Sequence, residues 1–126
     1  MRFGLTDEVL HKINEVFRRY PQVEQAILYG SRAMGRHRYN SDIDLTLLGP
    51  ALNLKTLFRI ENELDDLLLP YMIDLSIFEH IDNPDLVDHI RRMGKVFYQR
   101  EEVGAEREAL LIEIMKKDED SGLYDS

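Results

Sequence analysis

Gly30-Ser31-Arg32-Ala33-Met34-Gly35-Arg36-His37-Arg38-Tyr39-Asn40-Ser41-Asp42-Ile43-Asp44 is the stretch on which the reading of this chain turns. It joins a small polar turn to a pair of carboxylates across ten residues. The pair opens an alternating run, Asp42-Ile43-Asp44-Leu45-Thr46-Leu47-Leu48. Side chains on a strand alternate between its two faces. Ile43, Leu45 and Leu47 therefore share an apolar face, and Asp42, Asp44 and Thr46 share the other. The two carboxylates stand about 6.6 Å apart along such a strand. Like charges this close are unfavourable unless water or a cation offsets them. Mg²⁺ takes one or two carboxylates together with substrate phosphates.

A second run repeats the pattern: Tyr71-Met72-Ile73-Asp74-Leu75-Ser76-Ile77-Phe78. Ile73, Leu75 and Ile77 form its apolar face, and Met72, Asp74, Ser76 and Phe78 the other. Paired beside the first strand at about 4.8 Å, it brings Asp74 to Asp42 and Asp44. Three carboxylates can bridge two ions about 3.5–4 Å apart, an arrangement suited to displacement at phosphorus. Asp74 can also take a proton from an attacking hydroxyl.

Upstream, Ala26-Ile27-Leu28-Tyr29 reads as a strand running straight into the polar turn. Glycine permits tight turns and close approach to a ligand. Backbone N–H groups in such a turn bind anions, and Ser31 adds a hydroxyl. Residues 26–41 carry Arg32, Arg36, Arg38 and His37 and no acid. In a chain of net charge −8 this local reversal of sign fits a triphosphate. The pattern is neither a Walker A nor a Rossmann fingerprint.

These elements resemble the minimal nucleotidyltransferases of the DNA polymerase β-like superfamily, and among them the antitoxins of prokaryotic HEPN/MNT toxin–antitoxin pairs. The resemblance rests on Gly30-Ser31, the ten-residue spacer, Asp42-x-Asp44 and the later Asp74. It spans roughly residues 5–100. It implies a nucleotidyltransferase fold, with a mixed sheet flanked by helices, and Mg²⁺-dependent transfer of a nucleoside monophosphate. Gly30, Ser31, Arg32 and Arg36 would then bind ATP. Asp42, Asp44 and Asp74 would be catalytic and hold two Mg²⁺ ions. Many relatives carry a basic residue where Met34 stands, a charge that Arg32 or Arg36 would supply. In the antitoxin branch, AMP is added to a tyrosine of the partner HEPN ribonuclease.

The rest of the chain is read from periodicity and breakers. Thr6 caps a helix carrying Val9, Ile13, Val16, Phe17 and Tyr20 at helical spacing, and Pro21 stops it. Gly49-Pro50 breaks the chain after the first carboxylate strand. Leu54, Leu57, Phe58, Ile60, Leu64, Leu67 and Leu68 mark a second helix, ended by Pro70. Asn83-Pro84 starts a third, with Leu86, Val87 and Ile90 apolar and Gly94 at its end. Lys95-Val96-Phe97-Tyr98 closes as a strand. The order is an α/β or α+β mixture. Residues 1–100 form the expected domain. Residues 101–117 are expected to add a C-terminal helix that packs on the domain or docks a partner. Residues 118–126 are an acidic tail expected to be disordered.

At 126 residues the chain is expected to be one domain with its own core. It has no cysteine, which excludes disulfides and thiol catalysis and suits a reducing cytoplasm. No apolar run is long enough for a membrane span. Residues 101–126 carry nine acids and three bases, and residues 1–100 fifteen and thirteen. That balance argues against nonspecific nucleic-acid binding. Of His11, His37, His80 and His89, only His37 lies near the motif in sequence, and no two share a metal-ligand spacing.

Three functions are compatible with this reading. The first is an antitoxin that adds AMP from ATP to a HEPN toxin. The second is an antitoxin that neutralises its toxin by binding alone. The third is the nucleotide-binding subunit of a small-molecule nucleotidyltransferase.

Overall fold

The structure, a computed structural model, describes residues 1–100. The expected helix at 101–117 and tail at 118–126 lie outside the described residues. The elements follow in the order α1 (Asp7–Arg18), β1 (Gln25–Tyr29), β2 (Ile43–Leu48), α2 (Leu54–Asp66), β3 (Ile73–Ile77), α3 (Pro84–Met93) and β4 (Lys95–Gln99), with a 3₁₀ turn (Phe78–His80) after β3.

Each helix begins where its capping chemistry dictates. The Thr6 hydroxyl accepts from the Val9 amide at 3.2 Å, with Asp7 and Glu8 in the first turn. The Asn53 side chain accepts from Thr56 at 2.9 Å and starts α2. Asn83 accepts from Asp85 and Leu86, and Pro84 takes the first turn of α3.

The four strands lie in the order β3-β2-β1-β4. β1 runs antiparallel to both β2 and β4, and β2 runs parallel to β3. The sheet is therefore mixed, as expected. The parallel pair is joined through α2, because parallel strands need a crossover.

The sheet buries both faces unequally. Ala26, Leu28, Ile43, Leu45, Leu47, Leu75 and Ile77 pack against Ile13, Val16 and Phe17 of α1 and Leu57, Ile60 and Leu64 of α2. The other face has a smaller cluster, in which Ile27, Tyr29, Leu48 and Phe78 meet Val87 and Ile90 of α3. α3 covers only part of that face, and the polar half of β2 and β3 lies beside it. A bulge in β4 shifts the register between Ala26, paired with Tyr98, and Ile27, paired with Val96. The extra residue lets consecutive Phe97 and Tyr98 both be buried.

Ile90 is fully buried and holds α3 to the sheet. Ile90→Ala should lower unfolding stability by about 2–5 kcal/mol, read from the midpoint of urea denaturation.

Candidate nucleotide-binding and metal site

The register of the ladders assembles the carboxylates. Asp44 pairs with Tyr29 across the antiparallel ladder and with Asp74 across the parallel one. Cross-strand partners share a face, so Tyr29, Asp44 and Asp74 line one row across three strands. Asp42 lies two residues before Asp44, at the mouth of β2. Thr46 and Ser76 form the next row, where the Ser76 hydroxyl lies 2.9 Å from that of Thr46.

The row is electrostatically unbalanced. Asp42 and Asp74 are exposed, whereas Asp44 is half-buried. Burial raises the Asp44 pKa from its ordinary value, and the Asp74 and Asp42 charges raise it further. His89 acts in the opposite sense. The Tyr29 phenol is likewise raised, first by burial and then by Asp74 and Asp44, against a hydrogen bond with Ser76. Among the described residues no three His, Cys, Asp or Glu side chains converge tightly enough to enclose a metal ion. The three aspartates form an open row of hard oxygen donors in which like charges outnumber their neighbouring cations. That donor set suits Mg²⁺, which completes its shell with phosphate and water.

The turn beside this row is shaped by Gly30, whose φ is +76°. This is the left-handed region, which glycine enters without strain. A methyl group there would also collide with the Asp44 carboxylate. The positive φ is what favours glycine here, and any side chain would also displace the Asp44 carboxylate. Met34 and Arg36 donate back to the carbonyls of Gly30 and Ser31 and curl the turn. The amide and hydroxyl of Ser31 donate to no group among the described residues. These two donors, beside the carboxylate row, are available to an anion.

The arginines divide. Arg36 is exposed on the turn. Arg32 is 2% exposed and points inward. Its Nη1 donates to Phe3 O at 2.9 Å, its Nε and Nη2 to Ser41 O at 3.1 and 2.8 Å, and Nη2 also to Tyr39 O at 3.2 Å. Its guanidinium stacks 4.9 Å from the Tyr71 ring centroid. Arg32, expected to bind a triphosphate, is thus placed inward on loop carbonyls rather than on the open turn. Four of its N–H donations go to loop carbonyls, and it holds the end of the ten-residue spacer at Ser41, next to Asp42. Burial lowers its pKa, which Tyr71 and Asp42 partly oppose.

The histidines are also reassigned. His37 packs against Gly4, and its Nδ1 is buried without a hydrogen-bond partner. His89, on α3, is the histidine at the motif. Its Nε2 accepts from the Gly30 amide at 3.2 Å, and its ring meets Tyr29 edge-on at 6.3 Å between centroids. Sequence reasoning missed it because Gly30 and His89 lie 59 residues apart. The available signal was its place beside Ile90 on a helix expected to pack over the sheet.

Residues 11–103 match the family described as Polymerase beta, Nucleotidyltransferase, and the chain belongs to that family. No curated protein matches the chain. Solved structures share the fold at low identity. A toxin–antitoxin structure with AMP-PNP is 19% identical with a TM-score of 0.63, covering 92% of this chain and 96% of that one. A tri-AMPylated Shewanella oneidensis HEPN toxin in complex with its MNT antitoxin gives 16% and 0.61, covering 96% and 98%. A putative nucleotidyltransferase from Sulfolobus solfataricus gives 18% and 0.50, covering 75% and 81%.

Arg32→Met should leave loop carbonyls unpaired and cost about 1–3 kcal/mol in urea unfolding. Asp44→Asn should melt at a higher temperature than wild type at neutral pH without divalent cations. A raised folded-state pKa means that ionised Asp44 costs the fold energy, so stability is lost as pH rises through that pKa. The advantage of Asn should vanish on acidification through the carboxylate range, and thermal scans across pH measure it.

Proposed function

We propose that this protein is a Mg²⁺-dependent nucleotidyltransferase that transfers AMP from ATP to a tyrosine of a partner HEPN ribonuclease toxin, and so acts as an antitoxin. The observation that carries this reading is the in-register row Asp44–Asp74, with Asp42 at its mouth and the free Ser31 donors beside it. Family membership supports nucleotidyl transfer. The similarity to toxin–antitoxin structures, one with AMP-PNP and one with an AMPylated HEPN toxin, supports the nucleotide and the partner.

In this reading the Ser31 amide and hydroxyl bind phosphate oxygens, and Arg36 on the open rim adds positive charge. Arg32 does not touch the nucleotide but keeps the spacer folded. Asp42, Asp44 and Asp74 would hold Mg²⁺, which supplies charge neutralisation at the triphosphate. Asp74, exposed on the edge strand, receives the proton of the attacking tyrosine hydroxyl. The tyrosine oxygen forms a bond to the α-phosphorus. The bond from that phosphorus to the bridging oxygen breaks, and pyrophosphate leaves. Such chemistry depends on positioning and electrostatics, so a small domain suffices. Among the described residues no helix is long and apolar enough to cross a membrane.

Incubation with ATP, Mg²⁺ and the product of the neighbouring gene should add one or more AMP masses to that partner, read by intact mass spectrometry. Asp42→Asn should cut transfer by about 100-fold or more while the fold survives. An unmodified partner bound equally by wild type and variant would instead show neutralisation by binding alone.

A further inference from the structure

The Gly30 amide lies where the β1–β2 ladder has ended, since Tyr29 and Asp44 form its last pair. A half-buried N–H beyond the ladder needs an acceptor. α3 supplies one, the Nε2 of His89 at 3.2 Å. The helix that presents this ring cannot drift. Val87 and Ile90 bury their side chains against Ile27 and Tyr29. At the C-terminus of α3, even a methyl group at Gly94 would meet Ile90 O and Ile27 Cγ2. The ring is also braced edge-on against Tyr29, the residue that precedes Gly30. Glycine has the widest backbone freedom of any residue, so a turn built on Gly30 needs an external tether to present one conformation.

We propose that His89 is a positioning residue of the nucleotide site: by accepting the Gly30 amide it fixes the Gly30-Ser31 turn so that the Ser31 amide and hydroxyl face the triphosphate. This assignment rests on the reading that the turn binds a nucleoside triphosphate. Gly30 then contributes shape rather than a phosphate-binding amide, and Ser31 contributes the donors. His89 makes no contact with the phosphates in this scheme. It acts through the backbone it holds.

Two substitutions separate the acceptor from the ring. His89→Phe keeps an aromatic edge for Tyr29 and removes the acceptor. His89→Gln removes the ring and offers Oε1 as a replacement acceptor. Binding of AMP-PNP with Mg²⁺ to each full-length protein is measured by calorimetry. Thermal midpoints and hydrogen exchange of the Gly30 amide are measured without nucleotide. The expected result is a loss of affinity of about 3- to 10-fold in His89→Phe, within the range for one hydrogen bond. The Gly30 amide should exchange faster in that variant, and His89→Gln should recover both properties. Binding by His89→Phe equal to wild type would overturn the assignment. So would a loss in His89→Gln as large as in His89→Phe at unchanged thermal midpoint. Should His89→Phe unfold, failure of His89→Gln to keep Gly30 protected overturns it as well. A wild type that binds no AMP-PNP, yet shows the exchange pattern, overturns the nucleotide reading instead and leaves only the tether.

Discussion

Asp44 and Asp74 face each other in register on adjacent parallel strands, and much of the molecule is arranged around that costly pair. Parallel neighbours sit about 4.8 Å apart, close enough for repulsion to raise a carboxyl pKa. Half-burial of Asp44 is the larger part of the cost, and the neighbouring carboxylates add to it. A protein can keep such a pair only if the strands beneath it are held firmly. The opposite face provides this, where Ile43, Leu45, Leu47, Leu75 and Ile77 lock β2 and β3 onto α1 and α2. One face of the strands stabilises the fold, and the other spends part of that stability on the site.

The surroundings of the pair are shaped by two tethers. Arg32 gathers the carbonyls of Phe3, Tyr39 and Ser41 and stacks on Tyr71. It thereby folds a polar spacer that has no regular structure of its own. His89 reaches from α3 to the amide of Gly30. Both side chains bond to backbone groups. The result is a turn with two unpaired donors at Ser31 beside a row of carboxylates.

The elements are largely legible in the sequence because their signals are local. Thr6, Asn83, Pro84 and Gly94 mark helix ends through capping and breaker chemistry within a few residues. Asn53 is harder to single out beside the stronger breaker Gly49-Pro50, although its side chain makes the bond that starts α2. The alternation in Asp42–Leu48 and Ile73–Ile77 is enough by itself to set the carboxylates opposite the core. The bulge that buries both Phe97 and Tyr98 is not legible, because it depends on the fit of β4 against β1.

The roles of the basic residues are where the local reading stops. Three arginines and a histidine in one loop read alike, as positive charge beside a phosphate site. Whether a guanidinium faces solvent or the interior depends on which carbonyls the folded chain brings around it. Phe3, Tyr39 and Ser41 come from two separate segments, so Arg32 is a buried clamp while Arg36 stays outside. His37 is close to the motif in sequence but packs on Gly4, and His89 is remote in sequence but bonded to Gly30. The sequence by itself determined which strands would form, which faces would be apolar and which carboxylates would share a face, because these follow from a period of two residues. The tertiary structure alone decided which basic side chains reach the site, because that depends on helix docking and loop closure across distant segments.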